Sequence, residues 1–234
     1  PVHHAMELPG VPSSVLEALQ GAAQSLGIPH LALVGGVVRD QLLHQRCGRA
    51  WSGVPDLDWV VEGDAAALVA ELIRQVGSER ITDVQKHGAF GTVAFQLDGI
   101  PLDLATARQE YYPAPAENPV VQAGTLQADL ARRDFTVNAM ALDLVGNELI
   151  DLHHGQEDLA AGQLRFLHAG SVQDDPTRVF RAARYAARLG FQLAQESSEQ
   201  IRITIDQWPW AWGQGDAPLA APPALATRPR LELG

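Results

Sequence analysis

Residues 31–43, LALVGGVVRDQLL, run from an unbroken apolar stretch through two glycines into a pattern of helical period. LALV at 31–34 is short and apolar throughout, as a strand buried on both faces must be. Gly35 and Gly36 permit a sharp turn and close backbone approach, and the following helix leaves N–H groups pointing at whatever lies beyond the turn. That arrangement suits an anion such as phosphate. Arg39 follows about one helical turn later, within reach of the same anion, and Asp40 is placed to orient it or pair with it.

The next strand, within DLDWVVEG at 56–63, begins with Asp56 and Asp58. Side chains two apart on a strand project to one face, so these carboxylates converge and repel each other unless a cation intervenes. Hard oxygen donors at this spacing suit Mg²⁺ or Mn²⁺, especially where substrate phosphates complete the octahedron. Taken singly, a Gly-Gly is an ordinary turn and an Asp-x-Asp an ordinary solvated strand start after Pro55. Taken in order, Gly-Gly, Arg-Asp and a convergent acidic pair describe a site that holds a phosphate chain against metal ions. A third carboxylate, Asp103, alternates with Leu102 and Leu104 on the strand IPLDLATAR. It reads as a further metal ligand, as a general base for an attacking hydroxyl, or as a paired structural group.

Around these motifs the first half reads as α+β. A helix is expected from about Ser13 to Leu26, capped by Ser13 or Ser14 and ended at Gly27. Another runs from about Asp64 to Val76. Strands are expected near 80–84, 91–97 and 100–106, with Asp98-Gly99 turning the last pair. PAPAENP at 113–119 is a proline-rich loop, and ALDL and ELID form a second hairpin through Gly146 and Asn147. From about Gln156 only helices are expected, near 157–161, 176–189 and 196–207. The stretch from Trp208 has no usable periodicity and reads as a disordered tail, although three tryptophans within 208–212 can dock on a surface.

Two further constellations carry possible chemistry. In RRDFTVNAMAL at 132–142, Asp134 and Asn138 share a face if the segment is helical, beside Arg132 and Arg133. A capped helix with Phe135, Val137 and Met140 in the core is the plainer reading. In DDPTRVFRAARYAARLGF at 174–191, Asp174 and Asp175 cap a helix that carries Arg178, Arg181, Arg184 and Arg188 along one face. A carboxylate and a guanidinium one turn apart, Asp175 and Arg178, can read the hydrogen-bonding edge of a base.

Charge argues the other way. With 17 basic and 28 acidic residues the net charge is -11, which repels polyanions and disfavours nonspecific binding to nucleic acid or anionic lipid. The positive charge is almost all arginine, since Lys86 is the only lysine. Arginine's planar fork suits phosphates and base edges, although a GC-rich genome produces the same bias. No apolar run approaches the roughly 18 residues of a membrane span, and no secretory prologue is present. A lone Cys47 excludes a disulfide framework and points to a reducing, cytoplasmic setting. His153 and His154 are adjacent rather than spaced as metal ligands, so a metal-dependent phosphohydrolase is disfavoured.

In this order, LVGGVVRDQLL, DLDWVVEGD, IPLDLATARQEYY, DLARRDFTVNAMAL and DDPTRVFRAARYAARLGF resemble the head and neck of the class II tRNA nucleotidyltransferases. That family includes CCA-adding enzymes, CC-adding and A-adding specialists, and bacterial poly(A) polymerases. The likeness covers about residues 30–205. It implies a polymerase-beta-like nucleotidyltransferase head with mixed sheet and helices over 1–151, a small all-helical neck over 152–207, and a tail over 208–234. It further implies that Asp56 and Asp58 are the metal-binding acidic pair, expected to hold two Mg²⁺ ions, and Asp103 is expected beside them as a catalytic carboxylate. Gly35, Gly36 and Arg39 match the triphosphate-facing turn, and Arg133, Asp134 and Asn138 the ribose-contacting motif. Asp175 and Arg178 match the protein template that pairs with an incoming ATP or CTP, and Arg181 lies on the same helix face. DLHHGQEDL at 151–159 is similar to the flexible element between head and neck, with Asp151 and Gly155 as pivots.

Asp174 stands where the family's template motif usually has glutamate, and the 46–55 loop is long for the family. The chain stops where the neck ends, so the grip on the tRNA is expected from further domains or another subunit. The expected activity is addition of C, A or both to the tRNA 3′ end. A poly(A) polymerase or single-nucleotide specialist is the alternative enzyme, and a nucleotide-binding fragment without RNA binding is the alternative of another class.

Overall fold

The computed structural model describes residues 8–51, 56–88 and 91–207. The expected tail, its tryptophans and part of the 46–55 loop therefore lie outside the described residues. Two compact units emerge, the first drawing on the chain up to Gln109, on Gln122–Arg132 and on Asn138–Leu152, the second on Glu110–Val121, Arg133–Val137 and the chain from His153.

In the first unit, helix α1 (Ser13–Ser25) leads into β1 (Leu31–Val34), α2 (Gly36–Cys47), β2 (Leu57–Val61) and α3 (Ala65–Val76). Strands β3 (Ile81–His87), β4 (Thr92–Leu97) and β5 (Ile100–Thr106) follow, and β8 (Ala141–Asp143) and β9 (Glu148–Ile150) complete a seven-stranded sheet of order β3-β4-β5-β2-β1-β8-β9. All neighbouring pairs are antiparallel except β2 and β5, which run parallel. The sheet is mixed and the unit α+β, as expected.

Burial explains which residues form which element. Every residue of β1 is buried, as its unbroken apolar run requires of a central strand. Leu57, Trp59 and Val61 of β2 share a face with Leu102 and Leu104 of β5, and α3 packs on β4 and β5 through a buried stripe of Leu68, Val69 and Leu72. Leu68 and Leu72 are fully buried, so truncating either to alanine would cost about 2–5 kcal/mol. On the opposite face, Ala32, Val34 and Val60 gather with Ala141 under Leu126 and Leu130 of α4 (Leu126–Ala131). Asp64 caps α3 by accepting from the Ala66 N–H at 2.9 Å. The Asp98-Gly99 turn has positive φ at both residues, which matches the twist of its hairpin.

Several expectations change. Pro12, not a serine, occupies the N-cap of α1, and no side chain caps it. Strand β3 extends to His87, with a register shift between Thr82 and Gln85 that suits an exposed edge. Two short strands, β6 (Arg108–Tyr111) and β7 (Val120–Ala123), pair as a ribbon flanking the proline-rich loop. Residues 132–142 are not a helix. A single 3₁₀ turn, Thr136–Asn138, follows a bridge between Phe135 and Phe166.

The second unit is mostly but not wholly helical. Helices α5 (Gly155–Ala161), α6 (Ser171–Asp174), α7 (Thr177–Leu189) and α8 (Gln195–Asp206) are joined by a short parallel pair, β10 (Gln163–Leu164) with β11 (Gln192–Leu193). Its core includes Phe135, fully buried, stacked on Phe166 at 5.1 Å and edge-on to Tyr185 at 5.9 Å. Among the described residues no helix is long and apolar enough to cross a membrane.

Candidate active site

The candidate residues fall into two groups, one in each unit. In the first unit the end of β1 lies beside the start of β2, because the two strands are antiparallel with Leu33 opposite Trp59. The Gly35-Gly36 turn and the acidic pair therefore occupy the same end of the sheet. Gly35 has φ 80° and ψ -147°, a conformation that side chains disfavour, and serves as the N-cap of α2 without side-chain capping. A Cβ on Gly36 would come within 3.1 Å of Arg39 Nη2, so the guanidinium packs directly against this turn.

Arg39 is 1% exposed. It donates from Nη1 to Asn138 Oδ1 at 2.7 Å and from Nε to Asp40 Oδ1 at 3.0 Å. The expected pairing with Asp40 thus exists, and Asn138 lies against Arg39. The 3₁₀ turn at Thr136–Asn138 replaces the helix whose face was expected to carry both Asp134 and Asn138.

Asp58 and Asp103 lie on the sheet itself, and Asp56, expected to begin the strand, immediately precedes β2. Asp56 and Asp58 are exposed, and the parallel register of β2 and β5 places Asp103, also exposed, directly opposite Asp58. Cross-strand partners project to one face, so Asp58 and Asp103 share it, with Asp56 just before the start of β2. Buried Leu57, Trp59, Leu102 and Leu104 point to the other side and fix that orientation, because a slip of one residue would bury the acids. The donor set is hard oxygen throughout, which fits Mg²⁺. Among the described residues no three histidine, cysteine or acidic side chains gather tightly enough to hold an ion alone. An ion here would complete its shell with water and substrate phosphate, which is the usual habit of Mg²⁺.

In the second unit, Asp134 is 6% exposed and its Oδ2 accepts from Arg181 Nε at 2.7 Å and lies 2.6 Å from Nη2. Its other oxygen accepts from the Phe135 N–H at 2.7 Å. Arg181 also lies over the Tyr185 ring, 5.8 Å from its centre. Asp175 and Arg178 are both buried, whereas Arg184 and Arg188 are exposed, so the arginine face is not uniform. Asp175 Oδ1 accepts from Thr177 N at 3.1 Å and from Thr177 Oγ1 at 2.5 Å, but the N-cap of α7 is Pro176 and has no side-chain cap, so the two aspartates do not cap the helix as expected. Asp174 ends α6, and burial raises its carboxyl above the usual range against the opposing pull of His168 and Arg178. Arg133 is half-buried.

The residues gave no sign of Tyr112. Its hydroxyl donates to Glu110 Oε2 at 3.0 Å. Burial first, then the Glu110 charge, push it up to about 12, with Arg178 and Asp175 near enough to act on it as well. ARQEYY carried this pair in plain view, but only the ribbon and the fold of the second unit reveal what it faces. His168 is likewise within electrostatic reach of Arg178 and Asp174, and burial lowers its pKa so that the neutral ring is favoured.

The first unit thus has a strand-turn-helix ending beside an acidic sheet face, and the second carries the Asp134–Arg181 ion pair. The chain is a member of the family described as "Poly A polymerase head domain", which matches residues 31–165. It is similar to an A-adding tRNA nucleotidyltransferase of Aquifex aeolicus, 40% identical over 74% of this chain and 20% of that protein. A CC-adding tRNA nucleotidyltransferase of Deinococcus radiodurans is 41% identical over 85% of this chain and 52% of that protein. Among solved structures, a CCA-adding enzyme in an apo form superposes with a TM-score of 0.73 at 33% identity, covering 84% of this chain and 45% of that one. The chain thus spans between 20% and 52% of the length of these two curated relatives. The resemblance drawn from the five motifs is borne out at the level of the family.

Proposed function

We propose that this chain supplies the nucleotide-binding and catalytic parts of a tRNA nucleotidyltransferase, taking CTP, ATP or both and joining the nucleotidyl group to the 3′-hydroxyl of tRNA. The observation that carries this reading is the register of β2 on β5, which sets Asp58 opposite Asp103 beside the Gly35-Gly36 turn. The names of the relatives support the substrate class.

In this reading Asp56 and Asp58 hold two Mg²⁺ ions against the triphosphate. The ions, when bound, neutralise charge on the phosphates and the leaving pyrophosphate and acidify the attacking hydroxyl. The backbone at Gly35 and Gly36 receives phosphate oxygens, and Arg39 braces that turn from beneath. Asp103 accepts the proton released by the 3′-hydroxyl as it attacks the α-phosphate. Arg133, Asp134 and Asn138 belong to the ribose-contacting motif, and Asp175 with Arg178 selects the base. Residues 1–151 act as the head and 152–207 as the neck, the neck also drawing on 110–121 and 133–137.

The decisive assay uses tRNA transcripts ending before the first C, after one C and after two, each with labelled CTP or ATP alone in Mg²⁺. Extension by C, A or both is expected and assigns the specificity directly. Asp56→Ala and Asp58→Ala should each abolish it, and wild-type rates in both would overturn the reading. An unstructured RNA primer distinguishes poly(A) polymerase, which would extend it with long A tracts.

A further inference from the structure

One carbonyl oxygen holds both residues of the base-selecting pair. Ser171 O accepts from Arg178 Nη1 at 2.8 Å and from the Asp175 backbone N–H at 3.2 Å, and Ser171 is fully buried. The turn that carries this oxygen is short and polar, and its own bonds are local: Gly170 N donates to His168 Nδ1 at 3.1 Å and His168 N to Ser171 Oγ at 3.3 Å. Local bonds of this kind do not anchor a turn to its surroundings. The anchor comes from α8, where the Gln200 side chain reaches both sides of Ser171. Its Oε1 accepts from Val172 N at 2.9 Å and its Nε2 donates to His168 O at 3.0 Å.

We infer that Gln200 is a positioning residue for nucleotide choice, clamping the His168–Val172 turn so that Ser171 O fixes where Asp175 and Arg178 present their hydrogen-bonding groups. The inference rests on the proposed role of that pair in reading the base. Gln200 touches no nucleotide in this scheme. An amide is suited to the task because it offers a donor and an acceptor on separate atoms at one end, matching a carbonyl and an N–H four residues apart. Discrimination between bases depends on donors and acceptors held within a few tenths of an ångström, so loosening the turn degrades selectivity more than it degrades turnover.

The test is equilibrium binding of ATP, CTP, GTP and UTP with Mg²⁺ to the whole chain, for wild type, Gln200→Leu and Gln200→Glu, alongside thermal melting. Gln200→Leu removes both bonds. Gln200→Glu keeps the acceptor for Val172 N and sets an oxygen against His168 O. Wild type should prefer ATP or CTP, and the preference should narrow about tenfold in Gln200→Leu, the equivalent of losing one or two buried hydrogen bonds, with Gln200→Glu intermediate. In turnover the loss should appear in the KM for the preferred nucleotide, with kcat nearly unchanged. If wild type shows no preference among the four nucleotides, the base-reading proposal fails and this inference with it. If wild type is selective and both folded variants are equally selective, the inference alone fails. Loss of the fold in both variants would also overturn it, assigning Gln200 to the architecture of the unit.

Discussion

The guanidinium of Arg39 and the side-chain amide of Asn138, 99 residues apart in sequence, meet at 2.7 Å within the first unit. This bond ties the helix that follows the Gly35-Gly36 turn to the end of the 3₁₀ turn at Thr136–Asn138. Asn138→Ala removes an acceptor from a charged group that is 1% exposed. The expected cost is about 1–3 kcal/mol of stability, read by denaturant titration, together with a raised KM for nucleotide because the turn loses its brace.

Asp103 should prove as necessary as the acidic pair. Because it is exposed, Asp103→Asn should shift stability by no more than about 0.5 kcal/mol. Turnover on tRNA should fall by about 10²–10³-fold, measured at saturating CTP and Mg²⁺. Near wild-type turnover would return Asp103 to a structural role.

Asp175 accepts two hydrogen bonds from Thr177, and two substitutions separate that structural part from its proposed part in base reading. Asp175→Asn keeps an oxygen for Thr177 N and should melt near wild type while changing which nucleotide is incorporated. Asp175→Ala loses both bonds to Thr177 as well and should cost about 1–3 kcal/mol. Unaltered nucleotide choice in both variants would remove Asp175 from the base-selecting pair.

Tyr112 gives a pH signature. Its pKa in the folded chain is pushed up to about 12 from an ordinary 10.0, so the unfolded chain releases this proton first. Its contribution to stability is complete below pH 10.0 and lost as pH rises through about 12. Phenolate absorbance should show one of the chain's 3 tyrosines titrating late. Tyr112→Phe should delete that late phase and flatten the alkaline loss of stability.

Strands and turns with strong local signals were legible in the residues. The buried run of β1, the capped start of α3 at Asp64 and the Asp98-Gly99 hairpin each follow from chemistry within a few positions. Asp58 was legible for the same reason, since its outward direction follows from strand period, whereas Asp56 falls just before the strand that was expected to include it. Asp103 was not placed by its own segment, because only the parallel register of β2 on β5 sets it opposite Asp58. The partner of Asn138 was equally hidden. Local pattern offered a helix across 132–142, and tertiary pairing of Phe135 with Phe166 and of Thr136 N with Arg165 O prevailed. Gln200 and Tyr112 carry no local mark, since each matters only through what another stretch of chain brings to it.

Phe135 and Thr136 also bear on how a gene for this protein can be cut. A stop codon after Leu152 would retain both residues and discard Phe166, Tyr185 and Asp158, the groups that cover the Phe135 ring and accept the Thr136 hydroxyl at 2.6 Å. The product would display a large aromatic ring where the intact chain buries it completely. Recombination between relatives meets the same obstacle, because a crossover at 152 unites segments 110–121 and 133–137 from one parent with the rest of their unit from the other. Moving this unit between such proteins therefore requires transferring three stretches of coding sequence together, and the unit is inherited as a mosaic.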